Sequence, residues 1–354
     1  MNPRLELLRN RLKLKNIEGM IVSNPTNIRY LIGIEAEGIL LLTRKENIYI
    51  TDSRYIEMVK SILTIEDEII ITNIKDITAE DCESYFLFCE NVGFEENYIT
   101  YAKYHEYMQK YKINNLVETE DIIEKQRRIK DENEINNIRK ACEITDQCFN
   151  YLISYIKEGM AEKEISYEIQ RFFMMNGAEG LAFDTIVASG VNSSIPHAIP
   201  TDKKIQNGDI ITIDMGCKYN GYCSDMTRTV FMGYVQDYMK KIYNLVLKNQ
   251  EETLGRIYAG ANTRILFQMV NNTFNNFGYD LTHALGHGVG LDIHEEPILG
   301  LKNEKILEKN MVITDEPGIY IPEKFGIRIE DTVLVTKDGY EVLTKSNKEI
   351  VVIK

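Results

Sequence analysis

The segment GDIITIDMGCKYNGYCSDMTRTV, residues 208–230, sets the dipeptide Asn220-Gly221 between two β-rich runs. That dipeptide tolerates positive φ at both positions and is a strong signature of a type I′ hairpin. With Asn220 and Gly221 as the loop, residue 219 faces 222 and residue 216 faces 225. Asp214 and Asp225 then project from one face as diagonal neighbours. Acids on a strand are commonly solvated, but Ile211 and Ile213 beside Asp214 point to a strand that is at least partly buried. Two carboxylates on a buried face repel unless a proton or a cation lies between them.

A second segment, NMVITDEPGIYIPEKFGIRIEDTVLVT (310–336), repeats the pattern. DIITIDMG matches MVITDEPG, and each is followed by a second acid, at a spacing of 11 (214 to 225) or 14 (316 to 330). Glu316 ends one strand, and Glu330 shares the face of the opposing strand with Arg328. Each segment is also preceded by H-x-x-P: HAIP at 197–200 and HEEP at 294–297. This is an internal duplication, and it predicts a pseudo-twofold fold whose acid pairs meet at the axis. Four carboxylates there cannot all ionise without cations, whereas two divalent ions would offset them.

Between the two segments lies THALGHGVGLDIHEEP (282–297), which holds three of the five histidines of the chain and alternates Gly286, Gly288 and Gly290. A helix would place His283 and His287 on one face, but three glycines in five residues would cost it roughly 2–3 kcal/mol relative to alanine. An extended run is expected, with 283, 285, 287 and 289 pointing one way and the glycines leaving the other face bare. His287 supplies the neutral nitrogen that completes a five-ligand set, with His283 and His294 near the reacting centre. Oxygen donors with one imidazole suit manganese, cobalt, iron(II) or zinc.

The rest of the chain bounds the reading. At 354 residues two domains are expected. A net charge of −13 argues against a nucleic-acid partner. The amphipathic N-terminus MNPRLELLRNRLKLK lacks the apolar core of a signal peptide, and no apolar run reaches a membrane span. Six cysteines without CxxC pairing read as buried free thiols in a reducing cytoplasm. Residues 18–122 alternate β-rich runs (EGMIVS, GILLLT, NIYITD, DEIIIT) with helical spacing (SRYIEMVKSI, YAKYHEYMQKYK), an α/β pattern whose one histidine, His105, reads as a surface residue. After the charged EKQRRIKDENE, helical stripes appear at Ile135, Ile138, Cys142, Thr145, Phe149 and at Ile165, Ile169, Phe172, the latter ending near Gly177. Two more helices are expected near 235–258 and 263–276. The expected division is an α/β domain over 1–124 and an α+β domain over 125–354, with the boundary near 122–130.

At these residues the sequence resembles the pita-bread metallopeptidases, specifically the Xaa-Pro peptidases (aminopeptidase P and prolidase). NPTNIRYLIG and TDSRY in the first domain resemble the creatinase-type N-terminal domain. The resemblance implies five metal ligands at Asp214, Asp225, His287, Glu316 and Glu330. It implies histidines near the substrate at His197, His283 and His294, and an arginine at Arg328. It further implies a cytoplasmic homodimer that holds two divalent ions, manganese first among them, and acts on small peptides with proline at the second position. Asp214 and Asp225 are assigned to one ion and His287 with Glu316 to the other, with Asp225 and Glu330 as bridges. Glu316 would shuttle a proton, His294 would donate to the oxyanion, His197 would contact the proline residue or its carbonyl, and Arg328 would orient Glu330. Three relatives set the alternatives. Creatinase works without metal, methionine aminopeptidase shares the ligands but usually lacks the first domain, and non-enzymatic binding members of the fold characteristically lose ligands. All five ligand positions are intact here.

Overall fold

The computed structural model describes residues 2–302 and 304–354. The chain divides into two units, Met1–Arg127 and Arg128–Lys354. In the first, the four β-rich runs become β1 (Gly19–Val22), β2 (Gly38–Leu42), β3 (Asn47–Thr51) and β4 (Ile69–Asn73), joined by β5 (Asn91–Phe94) and β6 (Asn115–Glu118). They form a sheet of order β4-β3-β2-β1-β5-β6, antiparallel between β1, β2 and β3 and parallel elsewhere. Helices α1 (Pro3–Leu14), α2 (Pro25–Ile32), α3 (Ile56–Ile62), α4 (Ala79–Tyr85), α5 (Tyr101–Lys110) and α6 (Ile122–Arg127) alternate with these strands. Two Asn-Pro pairs start α1 and α2: the Asn2 and Asn24 side chains accept from the backbone of Arg4 and Thr26, and proline presets the first turn. His105 is exposed on α5, against Tyr101 and Tyr104.

The second unit opens with α7 (Glu132–Tyr155), started by a capping box between Asp131 and Glu134. Ile135, Ile138, Cys142, Thr145 and Phe149 lie on its buried stripe. In α8 (Glu162–Met175) the stripe is Ile165, Ile169 and Phe173, not Phe172. A step of four from Ile169 keeps the face, while Phe172 turns aside to stack on Tyr151, ring centroids 5.1 Å apart. The cysteines are free, five of them buried, whereas Cys89 is partly exposed.

After α8 come β7 (Gly180–Leu181), β8 (Ile186–Ser189) and the first acid-bearing hairpin: β9 (Ile210–Met215), β10 (Cys217–Tyr219), β11 (Tyr222–Cys223) and β12 (Met226–Met232). Helices α9 (Asp237–Leu254) and α10 (Thr263–Asn276) lead to β13 (Gly286–Gly288), β14 (Glu295–Leu299) and the second hairpin: β15 (Val312–Asp315), β16 (Gly318–Ile321), β17 (Phe325–Arg328) and β18 (Asp331–Val335). Short strands β19 (Tyr340–Val342) and β20 (Val352–Ile353) finish the two main sheets, ordered β20-β12-β9-β8 and β14-β13-β15-β18-β19. The duplication is thus one of topology. Helix, helix, strand and hairpin occur twice, and β12-β9-β8 corresponds to β18-β15-β13, antiparallel throughout. Ile211, Ile213 and Met215 pack with α7 and α8, and Ile313, Val333 and Val335 pack with α9 and α10. By strand alternation the acids face the other way.

Asn220 and Gly221 have φ of 46° and 77°, as the type I′ turn requires. Tyr219 pairs with Tyr222 and Thr227 with Asp214, so the register read from the turn holds along the hairpin. Gly216 separates β9 from β10, and a Cβ there would collide with the backbone carbonyl of Ser224. Gly216→Ala is therefore expected to cost about 1–3 kcal/mol. That lowers the thermal midpoint by about 2–4 °C per kcal/mol for a unit of this size. A midpoint unchanged by calorimetry contradicts the close approach at Gly216.

Candidate metal centre

The site-facing sides of the two hairpins are stitched together by threonines. Thr229 Oγ1 donates to the Arg328 carbonyl at 2.9 Å, and Thr332 Oγ1 donates to the Asp225 carbonyl at 2.7 Å. The Glu330 N–H donates to the Thr227 carbonyl at 3.1 Å. Thr227 Oγ1 also donates to Glu330 Oε2 at 2.6 Å. A hydroxyl can donate and accept at once, so the seam satisfies backbone groups while leaving the acids free to converge.

Asp225, His287 and Glu330 converge: one ligand atom from each lies within 4.8 Å of the others. His287 Nε2 is 3.5 Å from Asp225 Oδ2 and 3.5 Å from Glu316 Oε1. The register that pairs Asp315 with Asp331 and Gly318 with Arg328 sets Glu316 opposite Glu330. In the first hairpin the acids are diagonal, since Asp214 pairs with Thr227. Asp214 Oδ2 accepts from Arg328 Nη2 at 2.6 Å, and its Oδ1 is buried without a hydrogen-bond partner among the described residues.

The expected strand at 283–289 is only partly formed. β13 is short, its register slips between His287 and Gly288, and Leu285 joins the apolar cluster of α9 and α10. The glycines do permit close approach, because a Cβ on Gly286 would strike the Thr314 carbonyl and one on Gly288 the Glu296 carbonyl. His287 Nδ1 lies 3.0 Å from the Gly288 carbonyl. A carbonyl only accepts, so Nδ1 carries the proton and Nε2 turns a lone pair toward the acids.

His283 is held by similar logic. Its Nδ1 donates to the Ala284 carbonyl at 2.7 Å, so Nε2 accepts from the Tyr320 hydroxyl at 3.0 Å. That hydroxyl in turn accepts from Arg328 Nη1 at 2.6 Å. His294 is exposed and stands edge-on to His287, ring centroids 4.4 Å apart. His197 is exposed too, near enough to His283 and His294 for its charge to depress both. Arg328 departs from the expectation that it orients Glu330. It hydrogen-bonds Asp214 directly and is linked to Glu330 by hydrogen bonds through Thr227, whose Oγ1 accepts from Arg328 Nε at 3.0 Å. The reason is spatial: β17 ends at Arg328 and Glu330 lies in the break before β18, while the facing hairpin brings Asp214 to the guanidinium. Tyr320 and Thr227 carry no motif signature. Period two does find them, Tyr320 on the 316–318–320 face and Thr227 on the 225–227–229 face.

Burial, then the charges of Glu330, Asp214 and Glu316, pushes the Asp225 carboxyl well above the carboxylate range. Burial, then Glu316 and Asp214, does the same to Glu330, and burial raises Glu316. Burial lowers His287, His283 and His294, so all three are neutral bases. Tyr320 is pushed up to about 12 by burial. Burial disfavours the Arg328 charge, but Tyr320, Asp214, Glu330 and Glu316 outweigh it and hold the group protonated. One arginine cannot offset four acids. An orphaned Asp214 oxygen, a bare imidazole nitrogen facing carboxylates and acids whose charge the protein alone disfavours form a donor set that divalent cations fit.

Residues 136–337 match the model of metallopeptidase family M24, and residues 4–129 match the creatinase/prolidase N-terminal domain. An Xaa-Pro dipeptidase of Pyrococcus horikoshii is 35% identical over 359 residues, 99% of each chain. Among solved structures, an Xaa-Pro dipeptidase from Bacillus anthracis superposes with a TM-score of 0.94 at 35% identity, covering 99% of both chains. An X-Pro aminopeptidase from Thermotoga maritima gives 0.88 at 32% identity, covering 97% of this chain and 100% of the other. Among the described residues no helix is long and apolar enough to cross a membrane.

The raised acids make metal uptake a proton-releasing event. In the metal-free chain Asp225 and Glu330 keep protons above the ordinary carboxylate pKa of about 4. A cation must displace them, so apparent affinity rises with pH above that value. The same sign governs the stability of the metal-free chain: a raised folded pKa contributes stability below the unfolded value, which is lost as pH climbs through the folded one. Titration calorimetry of the chelated protein with manganese at neutral pH, repeated in buffers of different ionisation enthalpy, should show net proton release. Uptake, or no exchange, contradicts the protonated cluster.

Proposed function

The chain belongs to metallopeptidase family M24, with a creatinase/prolidase N-terminal domain, and from that premise we propose that it hydrolyses the peptide bond between an N-terminal residue and a following proline. The observation that carries this reading is the buried convergence of Asp225, His287 and Glu330 in a chain aligned end to end with an Xaa-Pro dipeptidase. Asp214, Asp225, His287, Glu316 and Glu330 would hold two divalent ions. Oxygen donors with a single imidazole favour manganese, and cobalt, iron(II) or zinc fit the same set. When bound, such ions polarise the scissile carbonyl and make water a nucleophile near neutral pH.

The protein's own groups do the rest. Glu316, whose carboxyl burial raises, takes the proton of the attacking water and passes it to the departing proline nitrogen. His294, neutral and exposed beside His287, donates to the oxygen that gains charge in the tetrahedral state. His197, at the exposed edge, contacts the proline residue or its carbonyl. Arg328 fixes Asp214 and, through Tyr320, orients His283. An X-Pro bond has no N–H to be read, so a site built around the ring accepts what a general peptidase rejects.

The metal-loaded protein should cleave Ala-Pro and spare Ala-Ala, and a chelator should abolish the reaction until manganese is returned. Ala-Pro beside Ala-Pro-Ala separates a dipeptide-only enzyme from one that accepts longer chains, which the dipeptidase and aminopeptidase relatives both leave as natural outcomes. Equal turnover of Ala-Ala and Ala-Pro would sink the proline reading. Activity that survives complete metal removal would sink the metal-dependent one.

A further inference from the structure

Glu162, the first residue of α8, is wholly buried and takes no part in the chemistry described above. Its Oε1 accepts from the Ser189 N–H at 2.7 Å and the Ser189 hydroxyl at 2.8 Å. Its Oε2 accepts from the Thr201 N–H at 3.0 Å and the Thr201 hydroxyl at 2.7 Å. Asn192 Nδ2 spans both oxygens at 3.1 Å. A buried carboxylate is tolerated only when its lone pairs are filled, and here the donors are Ser189, Asn192 and Thr201. What those positions share is a segment. Ser189 ends β8, Thr201 closes the stretch 190–200, and Asn192 lies within it.

That stretch carries His197. Between its tied ends it crosses the second hairpin, where Ser193 Oγ accepts from the Gly326 N–H at 2.9 Å and the Pro196 carbonyl accepts from Arg328 Nη1 at 3.2 Å. Ala198 packs with Ile186 and Ala188. His197 itself has no such anchor among the described residues and is exposed, so its place depends on how the backbone on either side is held. We propose that Glu162 is a positioning residue: its carboxylate closes both ends of the 190–200 segment and thereby sets His197 at the edge of the carboxylate cluster. The tether stands on geometry alone, while its consequence for turnover rests on the proposed function.

Glu162→Gln is the sharpest variant, because every contact is a donor and an amide nitrogen would face donors in place of an acceptor. Thr201→Val removes one hydroxyl donor and serves if the glutamine variant does not fold. Hydrogen exchange on the full-length protein should show amides of 190–200 exchanging about tenfold faster in Glu162→Gln, with 282–297 unchanged. On Ala-Pro, Glu162→Gln should lower kcat/KM about tenfold in the parent but less than about twofold in a His197→Ala background, the non-additivity expected of residues acting through one another. A merely structural residue would cost the same in both backgrounds. Unaltered exchange at 190–200 in a folded variant, or equal losses in the two backgrounds, overturns the proposal. A parent that leaves Ala-Pro uncut refutes the peptidase reading instead, and the exchange data still decide the tether.

Discussion

Mutual repulsion among Asp214, Asp225, Glu316 and Glu330 is the constraint on which the second unit is organised. Unit charges about 4 Å apart repel by about 4 kcal/mol even at an effective dielectric of 20. Burial adds a desolvation cost to each, which is why Asp225 and Glu330 keep their protons far above the usual range. Arg328 relieves Asp214 directly and Glu330 through Thr227. The remaining charge has no counterpart among the described residues. Metallopeptidase chemistry begins from that deficit: the fold spends stability to hold a set of donors that only cations complete.

The duplication explains how the chain brings such a set together without disorder. Each half lays two helices on one face of a sheet and leaves acids on the other, so the apolar clusters beneath the hairpins take the entropic cost of fixing the strands. The threonines at 227, 229 and 332 then lock the hairpins across the seam. The halves are not equal. Acids are diagonal in the first hairpin and directly opposed in the second, and only the second half places a histidine, His287, among them. A second buried charge cluster lies on the helix side, where Arg228 and Lys348 hold Asp331 at 2.7 and 2.8 Å. It ties the second hairpin to α9 through Gln250, at 3.0 Å from the same carboxylate.

Much of this was legible in the residues, because local rules fix it. Asn220-Gly221 sets a register that carries Asp214 and Asp225 to one face, and the repeated spacing of acids and H-x-x-P marks the duplication. Glycines at 286 and 288 were required by backbone approach, as expected. What escaped depends on contacts between segments far apart in the chain. Arg328 binds Asp214 of the facing hairpin and not Glu330, two residues on in sequence, and no periodicity encodes that contact. Leu285 left the face of His287 for the same kind of reason, drawn into the core of α9 and α10. Tyr320 and Glu162 carry no motif of their own, and their roles come from partners on other segments: His283 and the paired strand's Arg328 for Tyr320, and Ser189 and Thr201 for Glu162.

Cations, rather than protons alone, balance the acid cluster of the working protein. Crystals grown with manganese and measured at the manganese absorption edge test it most directly. Two anomalous peaks are expected among Asp214, Asp225, His287, Glu316 and Glu330, both lost on chelation. A map with no peak at those side chains, in crystals of protein that cleaves Ala-Pro, would contradict it.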